Sequence, residues 1–185
     1  MTKWLSHRMV ERGIIKEEEQ ELYQFGIRNG MILLLNVVTA LVIGLLTEQL
    51  AVVAVFTLSF MVLRSYTGGY HSDSRIFCYL GSNLVLLVPV YTQAVFYKTS
   101  LAWLLAVLLV SAGIIFLLSP MHSKNRKLDK EEQKHFGRKA RLIAALELAV
   151  LGILWHAGQI PYAYAVYTGI CITALFMLVG KAQLW

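Results

Sequence analysis

The chain has 185 residues, of which 57% are hydrophobic and 15% charged, with a formal net charge of +6. A water-soluble domain of this length needs far more polar surface, so the composition excludes one and points to lipid as the main solvent. The positive charge comes without an interleaved aromatic and basic motif, so nucleic acid is excluded as a partner, and the two cysteines, Cys78 and Cys171, are too few for a disulfide framework.

Residues 1–29 mix apolar and charged positions. Trp4, Leu5, Met9, Val10, Ile14 and Ile15 recur at about one helical turn, with Lys3, Arg8, Arg12 and Lys16 between them. The spacing predicts amphipathic helix at the membrane interface, interrupted near Gly13, or equally a soluble cap on the membrane domain. The acidic residues Glu17, Glu18, Glu19 and Glu21 stand where a cleavable signal peptide would need an apolar core.

Six apolar runs follow, over 31–47, 50–63, 79–97, 101–119, 142–157 and 160–179. Each approaches the length of a membrane-crossing helix, and the second is short and borrows polar residues at its ends. Short connections at Glu48-Gln49, Lys98 to Ser100 and Gly158-Gln159 predict antiparallel hairpins. With six spans, 16 of the 17 lysines and arginines fall on one side and only Lys98 on the other. Lys and Arg resist translocation, so both termini and the basic 120–141 loop are expected in the cytoplasm. The predicted fold is an all-α integral membrane protein: one membrane-embedded domain over 1–185, with an interfacial segment at 1–29 and a six-helix bundle at 31–179.

One stretch at the expected cytoplasmic edge stands apart: Arg64-Ser-Tyr-Thr-Gly-Gly-Tyr-His71-Ser-Asp73-Ser-Arg75-Ile-Phe-Cys78. Such a polar cluster at membrane depth suggests a site. A cysteine and a histidine can form a nucleophilic pair in which the imidazole takes the thiol proton and the thiolate attacks a carbonyl. His71 and Cys78 are seven apart, which on one straight helix leaves them about 10 Å apart along the axis, too far for a hydrogen bond. Direct contact therefore requires a bent or unwound backbone. The plain alternatives are a small apolar filler for Cys78 and a headgroup or helix-end partner for His71.

At these residues the sequence resembles the accessory gene regulator B (AgrB-like) family. Arg64, the Gly68-Gly69-Tyr70-His71 run and Cys78 carry the resemblance. So do Ser119-Pro120-Met-His-Ser-Lys124-Asn125-Arg126-Lys127-Leu128 and the early Glu17-to-Gly26 stretch. The resemblance implies a membrane cysteine endopeptidase in a Gram-positive cell membrane, with Cys78 as nucleophile and His71 as base. It implies removal of the acidic C-terminal tail of a small quorum-sensing pro-peptide and closure of the remainder, held as a thioester, to a thiolactone or lactone. It also implies a homodimer, on which the residues themselves are silent, and a substrate with an amphipathic N-terminus.

Supporting residues have a functional and a plain reading each. Asp73 orients His71 or caps a helix. Arg64 binds substrate or snorkels to the interface, and Gly69 shapes the backbone. Lys124, Arg126 and Lys127 meet anionic lipid headgroups or dock the acidic tail, and Asn125 supports the site on the family match alone. Glu147, the acidic residue well inside an apolar run, is expected to form an ion pair with Arg64, Arg75 or Lys139. No cofactor or metal is expected. The rivals are a small transporter or peptide exporter, and a metal site of His71, Asp73 and Cys78 whose spacing fits no common zinc motif.

Overall fold

A computed structural model describes residues 2–68, 75–121 and 129–182, with the backbone alone at residues 2, 75–78 and 130. The described residues are helical throughout, without a strand: α1 (Thr2–Glu11), a 3-10 turn (Glu17–Glu19), α2 (Gln20–Leu46), α3 (Leu50–Thr67), α4 (Arg75–Tyr91), α5 (Gln93–Lys98), α6 (Leu101–Leu118), α7 (Lys130–His156) and α8 (Ile160–Ala182). They fall into two compact units, 1–39 and 40–185.

In the first unit, α1 is closed by the interruption expected near Gly13. Gly13 has φ 66°, and Gly13 N–H donates to Val10 O at 2.9 Å while Ile14 N–H donates to Met9 O at 2.9 Å. That is the paired C-terminal lock of a Schellman motif, which a left-handed residue permits. Arg8 lies over the Trp4 ring at 4.8 Å, and His7 faces Glu11 one turn on at 3.5 Å. α2 starts at Gln20, so the helix carrying the first apolar run begins well before Met31.

In the second unit, the same lock ends α2 and α7. Gln49 N–H donates to Gly44 O and Gln159 N–H to Leu154 O, both at 2.9 Å, with Glu48 at φ 57° and Gly158 at φ 72° in the left-handed position. A Cβ at Gly44 would lie 2.8 Å from Leu50 Cα, so this glycine lets α3 fold back directly on α2. Asp129 starts α7 with a reciprocal cap: its carboxylate accepts from Glu132 N–H at 2.7 Å, and Glu132 accepts from Asp129 N–H at 3.3 Å.

α8 is the centre of this unit, packed by α3, α6, α7, α4 and α5. Its buried face is rich in small residues, including Ala163, Ala165, Gly169, Ala174 and Gly180. In lipid, helices associate through close packing rather than escape from water, and small residues allow it. The buried hydroxyls of Thr168 and Thr173 donate to the carbonyls one turn back, at 2.8 Å each, which satisfies them inside the helix. Phe56, Leu63, Ile115, Ile170 and Met177 fill the layers between helices. Apolar side chains also face outward, Leu117 at 83% exposure among them, as expected where lipid replaces water.

Four described helices are long and apolar enough to cross a bilayer: the one within Glu17–Leu46, then α3, α6 and α8. The apolar part of α4, Tyr79–Tyr91, is shorter, and α7 carries Lys139, Arg141 and Glu147. The third predicted run, 79–97, is not one helix. Pro89 removes a backbone donor inside α4, and Thr92 then turns its hydroxyl back to Val88 O at 2.8 Å and also bonds the Tyr164 hydroxyl. The chain restarts as α5 at Gln93.

Candidate functional site

α3, the stretch after α6, and α7 meet at a junction whose chain leads into the segments that the sequence singled out. α3 runs one turn beyond the predicted Leu63 and carries Arg64. The Arg64 guanidinium lies 4.8 Å from the Phe176 ring and 5.9 Å from the Phe60 ring, so its charge rests against aromatic faces of α8 and α3.

α3 ends at Gly68, whose φ of 71° and ψ of −153° belong to a region that side chains essentially exclude. The reason for that turn is a neighbour. Met121 N–H donates to Thr67 O at 2.9 Å, and Met121 O would lie 2.6 Å from any Cβ at Gly68. Met121 follows a cis Ser119-Pro120 bond. On its other side Pro120 rests on α7, where a Cβ at Gly137 would lie 3.0 Å from Pro120 Cδ and 3.4 Å from Ser119 O.

Aromatic and basic side chains frame this junction. Tyr66 and Phe136 have ring centroids 6.3 Å apart, and Lys139 Nζ stands 5.8 Å from the Tyr66 ring. Arg141 Nε donates to Phe116 O at 3.0 Å. The last carbonyls of a helix have no partner within it, so this contact both ties α7 to α6 and caps α6.

Gly69, His71, Asp73, Lys124, Asn125, Arg126 and Lys127 lie outside the described residues, so their expected roles and the metal alternative carry no geometry here. Cys78 has its backbone in α4, and its side chain also lies outside the described residues. Glu147 is not held by Arg64 or Lys139, two of the three cations expected to pair with it. The side chain of Arg75, the third, lies outside the described residues. Instead Ser59 Oγ donates to Glu147 Oε2 at 2.8 Å. A hydroxyl one helix away meets the need of a membrane carboxyl for a polar partner. The sequence gives Ser59 no distinguishing signal, because a lone serine in an apolar run usually bonds its own helix. The Thr67–Met121 contact was equally hidden, being made by backbone atoms.

The sequence pattern described as Accessory gene regulator B matches residues 1–178, which takes in every segment just described. The chain belongs to the accessory gene regulator B family. It is similar to a putative AgrB-like protein of Clostridium perfringens (strain SM101 / Type A), 23% identical over 148 residues, covering 77% of this chain and 69% of the relative. It is also similar to the accessory gene regulator protein B of Staphylococcus intermedius, 26% identical over 156 residues, covering 82% and 80%. A second C. perfringens relative, putative AgrB-like protein 2 of strain 13 / Type A, is 24% identical over 131 residues, covering 68% of this chain and 61% of the relative. No solved structure matches. Membership in the AgrB family implies a part in accessory gene regulator autoinducer processing, and the apolar helices fit a membrane location for it.

Proposed function

We propose that this AgrB-family chain is a six-span cysteine endopeptidase of a Gram-positive cell membrane, working at the cytoplasmic face with both termini inside. The observation that carries this reading is the family match over residues 1–178, a range that includes both the His71–Cys78 segment and the 119–128 segment.

In this reading His71 takes the proton of the Cys78 thiol, and the thiolate attacks the carbonyl that precedes the acidic tail of the pro-peptide. The C–N bond breaks as the imidazolium returns its proton to the departing amine, leaving an acyl thioester on Cys78. A cysteine of the peptide (or a serine) then attacks the same carbonyl and gives up its proton, and the Cys78 thiolate leaves as the ring closes. An internal nucleophile gains from high effective concentration, and restricted water at the membrane edge favours cyclisation over hydrolysis. Lys124, Arg126 and Lys127 hold the acidic tail, and Arg64, Gly69, Asp73 and Asn125 support the site. A second copy of the chain completes a homodimer.

Co-expression with the pro-peptide, read by mass spectrometry, tests the proposal. Cys78→Ala and His71→Ala each abolish cleavage while membrane insertion is retained. Full cleavage by either variant overturns the assigned roles, and export of intact peptide without cleavage by the unmodified chain favours the transporter instead.

A further inference from the structure

Two segments begin at the junction of α3, the stretch after α6, and α7. One follows Gly68 and contains His71; the other follows Met121 and contains Lys124 to Lys127. Their points of departure touch. Met121 N–H donates to Thr67 O at 2.9 Å, Thr67 is fully buried, and Ser119 is nearly so. Thr67 Oγ1 further donates to Gly68 O at 3.3 Å, and Pro120 is backed by Gly137 of α7.

We infer that Gly68 is a positioning residue, whose missing side chain lets the Met121 backbone close on α3 and so anchors the histidine-bearing and basic segments at one point. Two separate features demand glycine there. The φ and ψ of 71° and −153° lie in a region essentially reserved for it. The atom that a Cβ would meet at 2.6 Å is a backbone carbonyl oxygen, which cannot swing aside as the tip of a side chain can. Three residues of chain reach no farther than about 11 Å, so His71 and Lys124, each three residues beyond the junction, are tethered to a common anchor. In the peptidase reading, the basic segment that holds the acidic tail and the histidine segment that meets the bond before it then start from one point. This consequence rests on the peptidase reading, whereas the junction does not.

The test uses the full chain in native membranes, with Cys78→Ala and Cys171→Ala removing both thiols. Tyr70→Cys and His122→Cys then place one thiol on each segment, and mild oxidation joins them. Adding Gly68→Ala slows that cross-link by at least about tenfold, because the local concentration of one thiol about the other falls as the segments separate. Gly113→Ala, where a Cβ meets nothing within 4 Å, leaves the rate unchanged. Met121→Pro removes the N–H without adding bulk at residue 68 and slows the cross-link likewise, so it carries the test if Gly68→Ala fails to insert. An unchanged rate in both variants overturns the inference.

With Cys78 restored, Gly68→Ala shifts the pH profile of Cys78 alkylation to that of His71→Ala, a change that loss of packing alone does not produce. A wild-type profile in Gly68→Ala, where His71→Ala does alter the profile, counts against the inference. Cleavage retained in Cys78→Ala would instead sink the peptidase reading and leave the cross-linking result standing.

Discussion

Ser59 on α3 and Glu147 on α7 share a hydrogen bond of 2.8 Å inside the bundle. α3 leads to the histidine segment and α7 follows the basic one, so the bond links two helices that bear on the candidate site. Hydrogen bonds between membrane helices contribute about 0.6 kcal/mol on average and up to about 1.7 kcal/mol, because the separated helices also find partners. Ser59→Ala is expected to lose about 1 kcal/mol in a detergent-unfolding titration. Removing both partners with Ser59→Ala and Glu147→Leu recovers part of that loss, since no polar group is then left unmatched. A Ser59→Ala variant as stable as the parent would show the bond to be idle.

Gly169 offers a linked measurement. A Cβ there would lie 2.6 Å from Ser59 Oγ and 3.3 Å from Ser59 Cβ. Gly169→Ala therefore drives the hydroxyl away from Glu147 as well as pressing α8 off α3. Its cost is expected to be about 1–3 kcal/mol, as for other overpacked sites. It should shrink in the Ser59→Ala background, where the colliding oxygen is gone. The double-mutant cycle reads the difference directly, and strict additivity would contradict the contact.

The helices were legible in the sequence because apolar runs and glycines act locally. Gly13 and Gly158 stop helices where the sequence suggested breaks, whereas the cap of Asp129 and Glu132, which starts α7 at Lys130 inside the expected 120–141 loop, was not read. The break at Thr92 was not legible as such: Pro89 signals a weakened helix, but the turn at Thr92 is helped by Tyr164, more than seventy residues away. The serine that meets Glu147 was missed for a similar reason. Arg64 reads as a counter-ion in sequence, yet its guanidinium rests on Phe176 and Phe60, and the carboxyl is met by a neutral serine. At the candidate site, residue types suggested the chemistry, whereas the backbone contact of Thr67 with Met121 that gathers its segments leaves no trace in side-chain spacing.

Phe96 organises the far end of the bundle. Its ring centroid lies 4.7 Å from that of Tyr164, 5.3 Å from Tyr167 and 6.2 Å from Trp155, and it borders an apolar cavity of about 270 Å³ that Gly152 also lines. Phe96→Ala enlarges this void and loses the ring contacts, with an expected cost near 3 kcal/mol, the low end for such truncations because lipid solvates the buried side chain once the helices separate. Gly152→Ala is expected to act in the opposite direction. A Cβ there meets nothing within 4 Å, and replacing a mid-helix glycine recovers about 0.5–1 kcal/mol. Unfolding titrations of the two variants should move to opposite sides of the parent.

The proposed six-span arrangement turns on the two helices whose crossing is least evident from length and composition, α4 with its short apolar part and α7 with its charges. Glu48, Ser100, Gln133 and Gln159 are exposed and sit at connections or on α7 near its start. Each can be changed to cysteine singly in the Cys78→Ala, Cys171→Ala background. A membrane-impermeant maleimide applied to intact cells is expected to label positions 48, 100 and 159, and to reach 133 only after lysis, because positive loops stay inside. The pattern assigns each crossing by parity. Labelling at 48 without 100 would mean that the chain between them crosses only once, which removes either α3 or the α4–α5 segment as a span. Labelling at 100 without 159 would do the same for α6 and α7, and since α6 is the more apolar of that pair, it would leave α7 lying along the cytoplasmic face with Glu147 outside the bilayer core.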